Sequence, residues 1–375
     1  MQSQEETFNA LVMSQLSRFS PAAMLKLYHT AGSATEVMHH RRDIRDLVPE
    51  ASDRLAELMA NSDDAMRRAE DELKYVEEYG LKVLTFDSPD YPQRLRECED
   101  APIALFYNGN ADLNAKRVVC VIGTRHATQY GKTLVERFCQ DLRYMSPDTL
   151  VVSGLAYGID ITAHRNAMSN GLSTVAVLAH GLDDLYPSAH RATASQMLSN
   201  GGLLTEYFTH TRPDKFNFVQ RNRIVAGMSD ACVVVESAKK GGSLITARLS
   251  QTYYRDVFAY PGAVGMTQSE GCNDLIRNSG AQLIASAEDF LTAMGWTDDN
   301  ILAKARQQGI ERSIFPELTS DEKIVVNVLS KQNDLPISML TAQTGMTVAQ
   351  LASLLFEMEM KGVVKSLAGG LYHII

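Results

Sequence analysis

The sequence predicts an α/β protein in which a doubly wound, extended Rossmann-like parallel sheet is flanked by an N-terminal helical domain and a C-terminal winged-helix domain. Three observations predict this arrangement. Apolar runs of strand length recur between residues 117 and 284, and stretches of helical length separate most of them. Apolar residues before position 79 recur at helical spacing, and residues 319–375 read as three helices followed by a hairpin. Continuous apolar strands that alternate with helices indicate a parallel sheet covered on both faces.

Residues 1–78 form the first predicted domain, a small helical bundle. Its apolar side chains recur three and four positions apart, as they do between Phe8 and Leu16. This spacing places them on one face of each helix, where they can pack into a core.

Residues 79–296 form the second predicted domain, which contains the sheet. Two short strands, residues 81–86 and 103–107, precede the regular pattern. The seven apolar runs of that pattern are Val118–Ile122, Leu150–Val152, Thr174–Leu178, Leu203–Leu204, Cys232–Val235, Val257–Tyr260 and Leu283–Ile284. Sheets of this kind bind ligands at the carboxyl ends of their strands, so the loops that follow these runs are the expected place for a site.

The C-terminal part of the chain reads as a polar linker, residues 297–318, and a winged-helix domain, residues 319–375. The predicted helices are Thr319–Leu329, Ile337–Thr344 and Thr347–Lys361, and the hairpin strands are Val363–Lys365 and Leu371–Ile374. The last helix would be the recognition helix, but Lys361 is its only cation, and the domain contains no arginine. Because groove recognition relies on such cations, we expect this domain to contact protein rather than duplex DNA.

The net charge of −9 argues against nucleic acid binding when it is taken as a mean. Its distribution weakens that argument. Residues 1–115 carry 12 basic and 21 acidic side chains, a net charge of −9, whereas residues 116–295 carry 17 and 15, a net charge of +2. The sheet domain can therefore present a local cationic surface, and the acidic N-terminal helices are expected to meet protein rather than DNA.

Several classes of protein are disfavoured by the composition. The five cysteines are scattered and form no CxxC pair, so neither disulfides nor a zinc site are expected, and no metal or cofactor is predicted. The sequence has no apolar run of the roughly 18 residues that a membrane span needs. The N-terminus also lacks the basic-then-apolar order of a signal peptide, so we expect a cytoplasmic protein without membrane contact.

Two loops after predicted strands are suited to hold an anion. Gly123 and Arg125 follow the first apolar run of the pattern, and a guanidinium at that place can bind a phosphate through two hydrogen bonds. After the second run, Ser153 begins a segment in which Gly154 and Gly158 open a helix. Backbone N–H groups at such a helix start attract anions.

The helix that follows carries Asp160 and His164, which are four residues apart and therefore lie on one helical face. They could form an acid–base or metal-binding pair, or a structural hydrogen bond. A metal site needs further ligands, and no third one has a suitable spacing, so the structural interpretation is favoured.

The segment Phe216–Gly227 combines cations with aromatic rings. The segment contains two aromatic rings, Phe216 and Phe218, and two cations, Arg221 and Arg223. Two more cations, Arg212 and Lys215, lie just before it. Cations bind phosphates and aromatic rings stack bases, which is the combination expected for sequence-tolerant binding of a single strand. The alternative, in which the rings are buried and the cations are solvated, is weaker because the two residue types are interleaved.

A fourth loop, Gly241-Gly242-Ser243, precedes a helix and reads as another anion site. Just before it, Glu236 could act as the carboxylate of a nucleotide hydrolase, although a lone carboxylate at a strand end is more often structural. The segment Gly131-Lys132-Thr133 resembles the end of a P-loop, but the motif needs a glycine five residues earlier, where this chain has His126.

In this order, the blocks resemble the DNA-processing protein A (DprA/Smf) family. The segments that carry the resemblance are VIGTRHATQYG, SGLAYGIDITAH, TVAVLAHGLDDLYP, GLLTEY, FNFVQRNRIVAG, VVVESAKKGGSLITA, AYPG and EGCNDLI. The resemblance implies that the N-terminal domain is similar to a sterile-alpha-motif or helix-hairpin-helix fold and that the C-terminal domain is a DML1-like winged helix.

The resemblance also implies a site for single-stranded DNA. The residues that it implies in binding the strand or its phosphates are Arg125, Lys215, Phe218, Arg221, Asn222, Arg223, Ser153, Gly154, Gly158, Gly241, Gly242 and Ser243. One departure concerns the N-terminal domain, which has Phe19-Ser20-Pro21 where a helix-hairpin-helix would carry G-I-G-P. We therefore expect no phosphate contacts from that hairpin.

The function implied by the resemblance is to protect single-stranded DNA that enters during natural transformation and to help load a RecA-type recombinase onto it. The resemblance also implies a homodimer that acts without catalytic turnover. The alternative is a nucleotide-binding or nucleotide-hydrolysing Rossmann enzyme, similar to phosphoribohydrolases, with Glu236 or Asp160 as acid or base. Residues 238–247 lack the leading proline and the trailing glutamate of the P-G-G-x-G-T-x-x-E block of those hydrolases.

Overall fold

The computed structural model describes residues 4–16, 21–296, 318–361, 363–367 and 370–374. The chain divides into two compact units, residues 1–297 and 298–375, and each is described by itself. The predicted linker, residues 297–318, lies outside the described residues except for its last residue, and so do Phe19 and Ser20.

The first unit begins with helices that pack on the sheet. They are α1 (Gln4–Leu16), α2 (Pro21–Ala31), α3 (Ala34–His39), α4 (Ile44–Leu47), α5 (Asp53–Ala60) and α6 (Asp63–Glu78). Buried side chains of α1 and α2 share one hydrophobic core with strand residues such as Phe106 and Cys120. The buried carboxylate of Glu72 in α6 accepts hydrogen bonds from the backbone N of Thr209, at 2.9 Å, and from its hydroxyl, at 2.7 Å. The predicted helical domain is therefore joined to the sheet by apolar packing and by buried polar contacts.

The sheet of the first unit has nine strands among the described residues. They are β1 (Lys82–Thr85), β2 (Ala104–Gly109), β3 (Arg117–Ile122), β4 (Thr149–Ser153), β5 (Thr174–Val177), β6 (Gly201–Thr205), β7 (Ala231–Val234), β8 (Asp256–Ala259) and β9 (Gln282–Leu283). Their order is β1-β2-β6-β5-β4-β3-β7-β8-β9. Strands β3 to β9 pair in parallel, which confirms the prediction from the seven apolar runs.

The two short strands that precede the regular pattern join the same sheet. β2 pairs antiparallel with β6, and β1 pairs antiparallel with β2. The sheet is therefore mixed at this edge, a feature that the local sequence does not specify because the partner β6 lies about a hundred residues further along the chain.

Helices cover both faces of the sheet. They are α7 (Gln93–Arg96), α8 (Gln129–Met145), α9 (Ile159–Ser169), α10 (Arg191–Met197), α11 (Lys215–Gly227), α12 (Ser243–Thr252), α13 (Glu270–Arg277) and α14 (Ala287–Ala293). Alternate residues of β3 enter two different cores, Val118 on one side and Val119 on the other, because successive side chains of a strand point to opposite faces. Beyond α14, the ring of Trp296 packs 5.4 Å from that of Phe290 and lies beneath the guanidinium of Arg117, at the amino end of β3.

The second unit contains α15 (Ser320–Lys331), β10 (Leu335–Pro336), α16 (Ile337–Thr344), α17 (Val348–Met360), β11 (Val364–Leu367) and β12 (Leu371–Ile374). Its strands form a sheet in the order β10-β12-β11, and its helices pack around Leu329, Leu340 and Leu355. This order of elements confirms the predicted winged helix. β10 was not predicted, since two residues that include a proline carry no strand pattern.

The cation of the candidate recognition helix α17 is not available to a ligand. Lys361, just beyond its end, donates to the carboxylate of Glu322 at 2.6 Å, and that carboxylate is fully buried. The exposed face of α17 instead carries Val348, Phe356 and Met360, each more than half exposed. A contact of this domain with protein remains the prediction that suits this face.

No helix in the described part of the chain combines the length and apolar character that a membrane span requires.

Candidate functional site

A cleft lies at the carboxyl ends of β3, β4 and β7, where the direction of winding of the sheet reverses. Its cavity has a volume of about 600 Å³. We call it the strand-end cleft. Its walls come from the loop after β3, the glycine loop after β4, α11 and the start of α12. The predicted residues that line it are Arg125, Gly154, Lys215, Phe218, Arg221, Asn222, Gly241, Gly242 and Ser243, and Asp160 lines it as well.

The glycine loop between β4 and α9 is shaped by close backbone approaches. Gly158 has a φ of +79°, and a Cβ at this position would lie 2.2 Å from the carbonyl oxygen of Thr124. A Cβ on Gly154 would lie 2.5 Å from the guanidinium of Arg221. Both positions therefore require glycine, the first for its conformation and both for space. Gly158 shapes the loop without lining the cleft, and Ser153 is buried, with its hydroxyl donating to the carbonyl of Val121 at 2.7 Å.

Arg221 supports this loop from inside the protein. It is almost fully buried, and its guanidinium donates to the carbonyl of Gly154 at 2.8 Å and to the carbonyl of Val177. Burial lowers the pKa of Arg221, and the nearby carboxylate of Asp160 opposes that change. The neighbouring Asn222 accepts a hydrogen bond from Arg221 Nε at 3.3 Å. The main role of Arg221 is therefore structural, and its positive charge also contributes to the wall of the cleft.

Two other cations are exposed at the cleft. Arg125 places its guanidinium 5.2 Å from the centre of the Phe218 ring, and Lys215 lies one turn before that ring on α11. Neither cation forms an ion pair within the described part of the chain, and both are exposed. The ring of Tyr186 lies 5.7 Å from the Phe218 ring. The cleft thus combines two unpaired cations with two neighbouring aromatic rings.

Arg223 was predicted beside Arg221, but the structure does not bring it to this cleft. It is buried on the opposite side of α11, where it pairs with Glu206 and donates to the carbonyl of Asp100 at 2.7 Å. The physical reason is helical geometry, since two residues in a helix are separated by about 200° around its axis.

Asp160 and His164 do not form the predicted hydrogen bond. His164 Nδ1 lies 2.7 Å from the hydroxyl of Thr174, which itself donates to the carbonyl of Val151 at 2.9 Å. The hydroxyl has one proton, so it must accept from His164, which fixes the histidine proton on Nδ1. Nε2 has no partner among the described residues. Burial, together with the nearby positive charge of Arg221, lowers the pKa of His164 to about 3.

The carboxylate of Asp160 faces the cleft side of the same helix. Burial raises its pKa above the usual range, and the charge of Arg221 and hydrogen bonds from the glycine loop, including the backbone N of Ala156 at 3.4 Å, oppose this rise. Asp160 therefore balances the buried charge of Arg221, and the predicted structural pair of Asp160 with His164 is not formed.

Some polar groups of the loop before α12 already form hydrogen bonds within the loop. The backbone N of Gly241 donates to the carbonyl of Ala238 at 2.9 Å, and the hydroxyl of Ser243 donates to that of Ser237 at 2.9 Å. The Gly241 N–H is thus not directed at a ligand, in contrast with the predicted anion site. The two lysines that precede this loop, Lys239 and Lys240, are exposed and form no ion pair within the described residues.

Glu236, the candidate carboxylate of a hydrolase, is buried and already bonded. It accepts hydrogen bonds from the backbone N of Thr128 at 2.9 Å and from the hydroxyl of Thr128 at 2.5 Å. A Cβ on Gly131, in the first turn of α8, would lie 2.1 Å from its Oε2. The P-loop-like glycine is therefore explained by space for Glu236, and the carboxylate anchors the start of α8 to the end of β7.

Sequence reasoning missed Tyr186, which lines the cleft, and the two exposed lysines that precede the loop before α12. Tyr186 lies in the loop after β5, within a segment that carries the family resemblance but that has no cation or glycine pair to draw attention. Lys239 and Lys240 could have been found, because they stand directly before the Gly241-Gly242 pair.

Comparison with known proteins places this chain among DNA-processing proteins. A family model described as DNA recombination-mediator protein A matches residues 82–295, and one described as the DprA winged helix domain matches residues 314–370. Protein Smf of a Synechocystis species is 32% identical over 331 residues, which cover 80% of this chain and 82% of that protein. The DNA processing protein DprA of Streptococcus pneumoniae is 41% identical over 201 residues, 54% of this chain and 70% of that protein.

Two solved structures share the fold. The X-ray structure of DprA from Streptococcus pneumoniae matches with a TM-score of 0.66 and 32% identity, over 78% of this chain and 98% of that one. A structure of DprA from Helicobacter pylori, described by its single-stranded DNA binding mode, matches with a TM-score of 0.52 and 29% identity, over 57% of this chain and 95% of that one.

Proposed function

This chain belongs to the DNA recombination-mediator protein A family, and on that premise we propose that it is a DNA-processing protein that binds single-stranded DNA in the strand-end cleft. The observation that carries the proposal is the pair of exposed cations, Arg125 and Lys215, which line the same cleft as the Phe218 ring and form no ion pair within the described residues. Arg223 and Arg94 of the same unit differ from these two cations, because each forms an ion pair with a carboxylate.

The chemistry of the cleft suits a single strand. Arg125 can hold a phosphate through two hydrogen bonds, and Lys215 can act on the next phosphate as a point charge. Phe218 and Tyr186 offer apolar ring surface to the bases, and stacking on a ring is tolerant of sequence because every base has a π-face. The strand-end position agrees with the general rule for ligands of doubly wound sheets.

The test is the affinity of the full-length chain for fluorescein-labelled oligo-dT, followed by anisotropy over a salt series. We expect Arg125→Ala to raise Kd by about 10- to 100-fold, as the loss of a charged hydrogen bond of about 1.5–3 kcal/mol requires. Arg54→Ala is the matched control, because Arg54 is an exposed arginine of α5 that forms no ion pair within the described residues and lines neither this cleft nor its neighbours. Equal affinities of the two variants would contradict the proposed site.

Duplex DNA of the same length provides a second comparison. We expect it to bind more weakly than oligo-dT, because its bases are stacked within the helix and cannot reach Phe218, and because α17 presents apolar side chains rather than cations. Binding of duplex as tight as that of the single strand would contradict a mode that depends on base stacking.

We further propose that the bound strand is protected during natural transformation and transferred to a RecA-type recombinase in the cytoplasm, with two copies of the chain acting as a homodimer. The family description as a recombination mediator supports this step. The measurement is the rate of recombinase filament formation on a strand already covered by a single-strand-binding protein. Addition of this chain should raise that rate and Arg125→Ala should not, while sedimentation velocity reports the dimer.

The alternative, a nucleotide hydrolase, has little support in this geometry because Glu236 is buried and bonded to Thr128. The assay is the release of base from nucleoside monophosphates. Release that Glu236→Gln abolishes would favour the enzyme and would count against a purely DNA-binding role.

A further inference from the structure

Helix α11 separates the strand-end cleft from a second one. Lys215, Phe218 and Arg221 line the strand-end cleft. The residues of α11 that line the other are Phe216, Asn217, Gln220 and Arg223. Because a helix has 3.6 residues per turn, these two sets lie on opposite sides of it. The first turn of α11 therefore forms a short wall between two cavities.

The second cleft has a volume of about 660 Å³ and belongs wholly to the first unit. One wall is α11 with the loop that precedes it, and the other comes from the end of α1 at Gln15, the start of α2 at Pro21 and the second turn of α6 at Arg68. Its volume is close to that of the strand-end cleft, so the two clefts can hold groups of similar size.

The chemistry of the second cleft repeats that of the first. Phe216 leaves 63% of its surface exposed, although it is a large apolar ring. Arg212 is exposed, and Gln220 is half-buried; within the described residues Arg212 forms no ion pair and the Gln220 amide makes no hydrogen bond. A ring, an unpaired guanidinium and a free amide are the groups that bind a base and a phosphate.

The other two arginines that line the second cleft are already paired. Arg68 pairs with Glu72 at 2.8 Å, and Arg223 pairs with Glu206. The carboxylate of Asp214 accepts a hydrogen bond from the backbone N of Asn217 at 2.8 Å and so caps the start of α11. The anion-binding capacity of this cleft therefore comes from Arg212 and not from the helix end.

We propose that a single strand held in the strand-end cleft continues over the first turn of α11 into the second cleft, where Phe216 stacks a base and Arg212 binds a phosphate. This inference rests on the proposed function, since it extends the same bound strand. Lys215 and Asp214 stand at the crossing, and a helix with its side chains is only about 10–12 Å across, so a short extended stretch of strand spans it.

The test compares fluorescein-labelled oligo-dT of about 5 and about 15 nucleotides on the full-length chain, lengths chosen to occupy one cleft or both. Phe216→Ser and Arg212→Ala should each weaken binding of the long oligonucleotide by about tenfold, as the loss of one stacked base or one phosphate contact does. Both variants should bind the short one within about twofold of the unmodified chain. Tyr254→Ser, at a ring that is 96% exposed and lines neither cleft, and Arg54→Ala are the matched controls.

The outcomes separate the two proposals. If the unmodified chain binds neither oligonucleotide, the proposed function fails and this inference falls with it. If the chain binds oligo-dT but Phe216→Ser and Arg212→Ala behave as their controls do on the long oligonucleotide, only the second cleft is wrong. Equal losses on both lengths would also overturn the inference, since Phe216 would then act on the strand in the first cleft.

Discussion

The guanidinium of Arg221 donates to the carbonyl of Gly154 at 2.8 Å, and through this bond α11 holds the glycine loop that forms one wall of the strand-end cleft. Arg221 is buried, whereas Arg125, whose guanidinium lies 5.2 Å from the centre of the Phe218 ring, is exposed and forms no ion pair within the described residues. Two arginines of one cleft therefore have different roles, one that shapes the site and one that is free to bind a ligand.

This difference predicts opposite behaviour of two alanine variants. Arg221→Ala should lower the free energy of unfolding by about 3 kcal/mol or more, because it leaves two buried carbonyl groups without their donor and the buried carboxylate of Asp160 without its neighbouring positive charge. Arg125→Ala should change it by less than about 0.5 kcal/mol, as exposed substitutions do. Urea denaturation followed by circular dichroism measures both. An Arg221→Ala protein as stable as the unmodified one would contradict the structural role.

The close approach of Gly131 and Glu236 predicts a penalty for a single methyl group. Gly131→Ala should destabilise the protein by about 1–3 kcal/mol, because the new Cβ would lie 2.1 Å from Glu236 Oε2 and overpacking must displace a bonded carboxylate. Gly242→Ala is the control, since a Cβ there meets no atom within 4 Å and the backbone has an ordinary helical φ of −63°. Denaturation midpoints give the comparison. If both variants have the same midpoint, Glu236 does not need the space beside Gly131.

The buried His164 predicts a specific pH dependence of stability. Its pKa is lowered from 6.5 to about 3 in the folded protein, so between these values the unfolded chain takes up a proton that the folded chain does not. Stability from this group is thus fully present above pH 6.5 and is lost as the pH falls toward 3, by up to about 1.4 kcal/mol per pH unit for one proton.

The check is to measure the free energy of unfolding from pH 8 to pH 4 in the unmodified chain and in His164→Gln. The variant should have the shallower acid limb, with the difference growing as the pH falls through about 6.5, the titration midpoint of an unperturbed histidine. Parallel curves over the whole range would show that His164 takes up its proton equally in both states.

The sequence specified the parts of the fold that are local and periodic. The seven apolar runs became the parallel strands because a buried strand needs continuous apolar residues, and the strand-end rule then placed Arg125 and Gly154 at one cleft. It did not specify which side of α11 each cation occupies. Arg221 and Arg223 look equivalent in sequence, yet the helix turns them toward different partners, and Glu206 as the partner of Arg223 is set by tertiary packing.

The hydrogen-bond partners of buried polar residues also could not be predicted from the sequence. His164 could be placed on the same helical face as Asp160, but its actual partner, Thr174, lies on a neighbouring strand. The antiparallel edge formed by β1 and β2 has the same cause, since a strand's partner is chosen by the whole sheet and not by the strand itself.

The position of Trp296 allows the unfolding of the protein and the binding of DNA to be followed by separate fluorescence signals. It is the single tryptophan of the chain, and it packs on Phe290 and Arg117 at the amino end of β3, whereas the strand-end cleft opens at the carboxyl end of the same strand. Its intrinsic fluorescence should therefore report unfolding of the first unit without quenching by bases in the cleft. In one sample, the labelled oligo-dT can then report how much of the cleft is occupied. The tryptophan fluorescence, followed as the same protein unfolds, reports how far the bound strand stabilises it.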